Sequence, residues 1–223
     1  MTAWFLAAKR HPSAVLLAAQ LLGVVLFPFM DASPTGRAML SLFALFVLVL
    51  AVWTVNTTPA LVWVSLLLGL PVVVLTILEA IYPSNAGIVL WSSVLHAAFY
   101  LYTTYGLLRY MFNDRWVTRD ELFATGATFT VLAWAFAYLY VATQVIWPGS
   151  FTAAVNPGSD RTWVELLFLS FTTLTSTGLS DVVPVLPHAR SLVMIEQVGG
   201  LGYVALVISR IVGLTLYRDR GRG

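Results

Sequence analysis

Between Thr172 and Asp181 the chain reads Thr-Thr-Leu-Thr-Ser-Thr-Gly-Leu-Ser-Asp, ten residues of which six carry hydroxyls. Hydroxyl and carbonyl oxygens at this density can take the place of a cation's hydration shell. Just before it, Trp163-Val-Glu-Leu-Leu-Phe-Leu-Ser-Phe171 is an apolar run too short to cross a bilayer. A half-helix there would aim the negative end of its dipole at the polar segment. A second chemistry is written in the same residues: Ser180, in Gly178-Leu-Ser-Asp181, could act as a nucleophile if His96 or His188 served as base. Glu196, an ionisable residue in the apolar run that follows, is functional by default in a membrane setting.

These residues must be positioned by elements that live in a bilayer. The 223 residues are 59% hydrophobic and 10% charged, with a mean hydropathy of +0.86. Twelve basic and ten acidic side chains cannot coat so much apolar surface against water, which excludes soluble enzymes, nucleic-acid binders and disordered chains. The absence of cysteine removes disulfide and thiolate-metal chemistry, and the net charge of +2 says little about partners. Apolar runs of roughly 20 residues, the length of a membrane crossing, fall at about Pro12–Met30, Arg37–Val55, Ala60–Tyr82, Ile88–Tyr110, Leu122–Trp147 and Ala189–Tyr217. Turn-forming Asp31–Gly36, Asn56–Pro59 and Pro83–Gly87 separate the first four. The first run is of full spanning length and is read as a membrane helix, with no cleavage expected.

Basic residues orient the chain, since Lys and Arg are retained on the cytoplasmic side. Nine of them, Lys9, Arg10, Arg109, Arg115, Arg119, Arg210, Arg218, Arg220 and Arg222, fall on one side, against Arg37, Arg161 and Arg190 on the other. Both termini are therefore expected in the cytoplasm. The fold class is an all-α membrane protein of six transmembrane helices, with a re-entrant pore helix and loop between the fifth and sixth. The expected organisation is a four-helix membrane domain over 1–121, a pore domain over 122–217 and a short basic tail over 218–223, with no cyclic-nucleotide or calcium-binding domain expected after it.

Thr172–Pro184 resembles the potassium-channel signature, whose usual form is Thr-Thr-Val-Gly-Tyr-Gly-Asp followed shortly by Pro. The likeness continues through Pro187–Glu196, Gly200-Leu-Gly-Tyr203 and Ile208–Leu214, which are similar to the inner helix of bacterial potassium-channel-like proteins. The resemblance covers about Leu122–Leu214. It implies that Thr175, Ser176, Thr177, Gly178 and Leu179 coordinate dehydrated cations, with Ser180 and Asp181 at the outer mouth. It also implies filter support from Phe168, Leu169 and Glu196, and a gating hinge at Gly199 and Gly200. For Glu196 a hydrogen bond to the pore loop and a charge facing a water-filled cavity are both open, as are hinge and packing for Gly200.

The pattern departs from the family at three filter positions: Thr177 replaces valine, Leu179 replaces tyrosine and Ser180 replaces the second glycine. A residue other than glycine in a left-handed conformation costs about 1–2 kcal/mol, so Ser180 is expected to be strained or to reshape the loop. Phe168 and Leu169 stand where the family places the aromatic pair that braces the filter tyrosine, so brace and tyrosine have gone together. The permeant ion is therefore K+ or Na+, no other cofactor is implied, and a non-conducting regulatory subunit is a further reading. One pore loop per chain implies a homotetramer in the lipid bilayer of a plasma membrane, with no nucleic-acid partner and room for an unidentified regulatory one. The first four spans lack the row of arginines of a voltage sensor, offering only Arg109. Within them, His96 reads as a hydrogen-bonded core residue and Glu79 as an interfacial carboxylate; outside them, Arg210 and Arg218 near the far end of the chain read as interfacial anchors. Gly178-Leu-Ser-Asp181 also resembles the Gly-x-Ser-Gly of rhomboid-type intramembrane proteases, but the second glycine is missing and the histidines are misplaced in chain order.

Overall fold

The computed structural model describes residues 11–30, 34–55, 62–113 and 118–220. Among them the elements run α1 (Pro12–Met30), α2 (Pro34–Val55), α3 (Val62–Ile81), α4 (Ala86–Phe112), α5 (Arg119–Ile146), β1 (Phe151–Ala153), α6 (Trp163–Leu174), β2 (Val182–Pro184) and α7 (Pro187–Arg220). Four stretches, Trp63–Ile81, Ala86–Phe112, Arg119–Ile146 and Pro187–Arg210, are long and apolar enough to cross a membrane. Pro12–Phe27, Leu42–Val55 and Trp163–Leu174 are shorter apolar helices. The basic residues Lys9, Arg10, Arg115 and Arg222 lie outside the described residues, as do the Asn56–Pro59 turn and the side chains of Arg37, Arg218 and Arg220.

Local chemistry sets the helix ends. Asn85 caps α4, its Oδ1 accepting from the Gly87 and Ile88 amides at 3.1 and 3.2 Å. Thr118 caps α5 by accepting from the Glu121 amide at 3.2 Å, and Asp120 and Glu121 in the first turn complement the helix dipole. Pro71 is accommodated inside α3, on its exposed side. Where the sequence predicts a turn through Gly36, α2 already begins at Pro34, because proline's missing amide is no loss at the first helical position.

Helix α5 is the axis of the bundle. Its alanines at 124, 127, 133, 135 and 137 are buried and let neighbours approach closely. Helix α1 runs parallel to it: Ser13 meets Asp120, Leu17 lies over Gly126 and Gln20 meets Thr130. Helices α4 and α7 run antiparallel to it, shown by Tyr100 against Trp134 and Met111 against Thr125 on one side, and by Tyr203 donating to the Thr125 carbonyl at 2.6 Å on the other. One hydrophobic core includes Leu16 of α1, Phe99 of α4, Val131 of α5, Leu166 of α6 and Val193 of α7, so the regions on either side of residue 121 share a single interior.

The strands β1 and β2 pair antiparallel with Phe151 opposite Pro184, Thr152 opposite Val183 and Ala153 opposite Val182. This two-stranded clasp, which the sequence reading did not foresee, brings the exit of α5 and the entrance of α7 to the same end of the bundle. Everything between them, α6 included, is an excursion that leaves from that end and returns to it.

Candidate ion-conduction site

Helix α6 starts from a well-fastened point. Thr162 and Glu165 form a capping box, the threonine hydroxyl accepting from the Glu165 amide and the glutamate accepting from the Thr162 amide at 2.6 Å. Arg161, buried, threads the preceding loop, donating to the carbonyls of Val155 at 3.1 Å, Asn156 at 2.5 Å and Ser159, and pairing with Glu165 at 3.4 Å. Gln144 of α5 grips the backbone of Arg161 from both sides, at 2.8 and 3.1 Å. The sequence reading treated Arg161 only as an outlying charge. The Thr-x-x-Glu spacing at 162–165 and the i,i+4 Arg–Glu pair were the signals that mark this anchor.

The helix runs to Leu174, three residues beyond the expected end at Phe171, so Thr172 and Thr173 are helical and do not open an extended strand. The Thr172 hydroxyl is compatible with helix because it turns back on the preceding turn, Oγ1 donating to the Leu169 carbonyl at 2.8 Å. Past the end, the Ser176 amide donates to the Thr173 carbonyl at 3.0 Å and the Thr177 amide to the Thr172 carbonyl at 3.0 Å. This is the Schellman closure of a helix C-terminus, with Ser176 at the left-handed position, φ 57°. Gly178 follows at φ 65°. The strain expected at Ser180 therefore falls on Ser176. Ser180 has no positive φ, and its hydroxyl accepts from the Val182 amide at 3.1 Å, closing the turn into β2.

Residues 175–179 are all exposed on the single chain, Leu179 at 78%. The hydroxyl hydrogens of Thr175 and Thr177 have acceptors inside the protein: Thr175 Oγ1 donates to the Phe171 carbonyl at 2.7 Å, and Thr177 Oγ1 lies 3.0 Å from Thr175 Oγ1 and 3.4 Å from the Thr172 carbonyl. With those hydrogens engaged, the exposed oxygens have lone pairs to offer, which is what a cation needs. Asp181 is exposed beyond them. Phe168 is exposed on α6, whereas Leu169 beside it is buried.

Behind the loop, Glu196 of α7 is completely buried. Its carboxylate accepts from Tyr140 of α5 and from Ser170 of α6, and the Ser170 hydroxyl also lies 2.9 Å from the Ala133 carbonyl. One carboxylate thus joins the three helices around the loop, and its partners are hydroxyls on α5 and α6, not a water-filled cavity. Four residues further, Gly200 is buried against the end of α6. A Cβ there would stand 2.5 Å from the Leu174 carbonyl oxygen and 2.8 Å from Leu174 Cα. Gly199 and Gly202 face open space.

Arg210 does more than anchor at an interface. It donates to Glu121 of α5 at 3.2 Å and its guanidinium lies 5.1 Å from the centre of the Phe112 ring. The neighbouring Asp120 accepts from the Ser13 amide and hydroxyl at 3.2 and 2.9 Å. The first turn of α5 therefore holds the start of α1 and the far part of α7 together.

The nucleophile reading finds no base. Ser180 Oγ engages the Val182 amide, the His188 ring stacks on Trp147 with centroids 4.0 Å apart, and His96 is bound within the bundle by Ser92 and Thr76. Among the described residues no cluster of three His, Asp or Glu side chains could hold a resident metal ion.

The excursion is thus a capped half-helix followed by an exposed oxygen-rich loop backed by α7. Residues 126–216 match a family model described as ion channel. The match and the apolar helices support a membrane protein of the cation-channel class. No curated protein and no solved structure matches the chain.

Proposed function

We propose that the chain is one quarter of a homotetrameric channel that conducts monovalent cations, potassium first among them, through a filter built by residues 175–181. The observation that carries this reading is the exposed run Thr175–Leu179 at the end of α6, with the hydroxyl hydrogens of Thr175 and Thr177 turned into the protein. Four copies around an axis would surround a cation path with such runs, since one loop supplies only part of a coordination shell. In this arrangement α6 is a re-entrant pore helix whose C-terminal dipole favours a cation on the axis. Thr175, Ser176, Thr177, Gly178 and Leu179 contact the ion, Ser180 and Asp181 form the outer mouth, and Asp181 raises the local cation concentration. Glu196 and Leu169 fix α6 from behind, and Phe168 faces a neighbouring copy or lipid. The Gly199–Gly200 pair is where α7 bends in gating.

The four long apolar helices α3, α4, α5 and α7, together with α1 and α2, cross the membrane, with both termini in the cytoplasm of a plasma membrane. The channel is not voltage-gated by an arginine sensor. A second reading, a pore of relaxed selectivity that also passes sodium, is favoured by Leu179, which is exposed and has no group with which to brace the loop by hydrogen bonding.

The test is cation flux from liposomes holding the purified protein, with potassium and sodium gradients compared under an imposed potential. Potassium flux far above sodium supports a selective filter, and equal flux supports the second reading. Gly178→Ala and Thr175→Ala proteins that assemble as tetramers yet conduct unchanged would refute the filter assignment.

A further inference from the structure

His96, in the middle of α4, is 3% exposed and sits in a pocket of acceptors. Its Nδ1 lies 2.8 Å from the Ser92 carbonyl oxygen. A carbonyl can only accept, so Nδ1 carries a hydrogen. Its Nε2 lies 3.3 Å from Thr76 Oγ1 of α3, and that hydroxyl is also 2.8 Å from the Val72 carbonyl. Two arrangements satisfy every atom. With Nε2 bare, Thr76 turns its hydrogen to the ring; with Nε2 protonated, Thr76 turns its hydrogen to Val72 and accepts from the ring. The site therefore takes up or releases a proton by rotating one hydroxyl.

Further polar groups stand close to the ring. Ser92 Oγ lies 3.3 Å from Nδ1, and Glu79 of α3 is within hydrogen-bonding reach of Ser92. The ring stacks face to face on Tyr138 of α5, centroids 4.2 Å apart and planes at 10°, a geometry that suits a cationic ring. The groups facing His96 are thus Glu79 and Thr76 from α3, Ser92 and Tyr100 from α4, and Tyr138 from α5. The described part of α2 carries no titratable side chain, and Glu165 of α6 is paired with Arg161.

The stack leads to the pore helix. Tyr138 packs against Trp163, the first residue of α6, with centroids 5.5 Å apart. Trp163 meets Trp134 edge-on at 5.4 Å, and Trp134 meets Tyr100 edge-on at 5.8 Å. Two rings in series, Tyr138 and Trp163, connect the imidazole to the foot of the helix that bears the oxygen-rich loop.

We propose that His96 is a proton-binding site whose charge state is transmitted through Tyr138 and Trp163 to α6, making conduction depend on pH. The effect on conduction rests on the channel reading above; the proton site and its link to α6 do not.

Two spectroscopic readouts test the site without requiring flux. Histidine-labelled protein in nanodiscs reports the His96 imidazole, assigned by His96→Gln, and 5-fluorotryptophan reports Trp163, assigned by Trp163→Phe. Between about pH 8 and pH 3, a range that runs well below the ordinary imidazole value, both signals are expected to titrate with one midpoint. His96→Gln is expected to silence the Trp163 response, and Tyr138→Leu to silence it while His96 still titrates. Liposome flux is expected to change about fivefold or more over the same range, the low end of coupling between sites, and to become flat in both variants. A His96 that never becomes doubly protonated, or a Trp163 that stays silent while His96 titrates, overturns the proposal. Flux that is present but insensitive to pH overturns the link to conduction. Both spectroscopic titrations with no flux at any pH would instead support the proton site and remove the channel reading.

Discussion

Helix α7 is fastened to the rest of the bundle at two levels, and the fastenings differ in kind. Near the loop, Glu196 is sealed from water and held by hydroxyls of Tyr140 and Ser170, while Gly200 lets the backbone lie directly on Leu174. Further along, Arg210 reaches Glu121 across the helix interface with its side chain 13% exposed. Separating the first level strands buried polar atoms, each costing about 1–3 kcal/mol. At the second level the long arginine stem can carry its charge to water when the helices part. The half of α7 beside the oxygen-rich loop is thus locked to α6, and the half that approaches Glu121 is held by a contact that can be exchanged for solvent. Any bending of α7 is therefore expected to displace its second half.

The sharpest way to break this contrast is Glu196→Ala. It orphans two buried hydroxyls and leaves a cavity, so the unfolding free energy in detergent should fall by about 3 kcal/mol, with Glu196→Gln falling less. Next is Gly200→Ala. The new methyl meets backbone, which cannot rotate aside, and the displaced helix should lose about 2 kcal/mol, whereas Gly199→Ala meets nothing within 4 Å and should gain up to about 1 kcal/mol from better helix propensity. Thermal unfolding of the two single variants side by side separates packing from hinge: if Gly199→Ala instead alters flux at unchanged stability, bending is at Gly199. Arg210→Gln removes a charge from beside the buried Glu121 but leaves an amide that can still donate to it, so it should cost about 1–2 kcal/mol, yet raise flux by freeing the far half of α7. Equal destabilisation by Arg210→Gln and Glu196→Ala would dissolve the distinction between the two levels.

How much of this was readable beforehand follows from which forces act locally. The helices α1, α3, α4 and α5 lie within two or three residues of the runs predicted for them, because apolar run length and turn residues are properties of contiguous sequence. The polar core was not readable in that way. Glu196 marks itself as unusual by its charge, but its partners Tyr140 and Ser170 lie 56 and 26 residues away in sequence and look like ordinary span residues. The clasp of β1 with β2 has three residues on each side, too few to generate an alternating pattern. The end of α6 was misread for a different reason: a hydroxyl-rich stretch suggests irregular backbone, yet threonines that bond back to the preceding turn prolong the helix. The fault at Ser180 has the same origin, since the aligned glycine position predicts a left-handed residue only if the loop keeps the register of the family, and here the helix cap moves that conformation to Ser176.

Ser176 gives the finest test of the loop. A serine at the left-handed cap position is held against a preference of about 1–2 kcal/mol, of which glycine would recover most while adding about 0.4–1 kcal/mol of unfolded-chain entropy. Ser176→Gly should therefore raise stability by about 0.5 kcal/mol. The backbone closure, Ser176 to Thr173 and Thr177 to Thr172, needs no side chain and should survive. What glycine removes is the hydroxyl, and flux measured on the stabilised variant reads that loss alone. Lower or less selective flux would place the Ser176 oxygen on the cation path. Unchanged flux with higher stability would leave cation coordination to the backbone and to Thr175 and Thr177, and would make the retained strain a feature of the cap with no part in conduction.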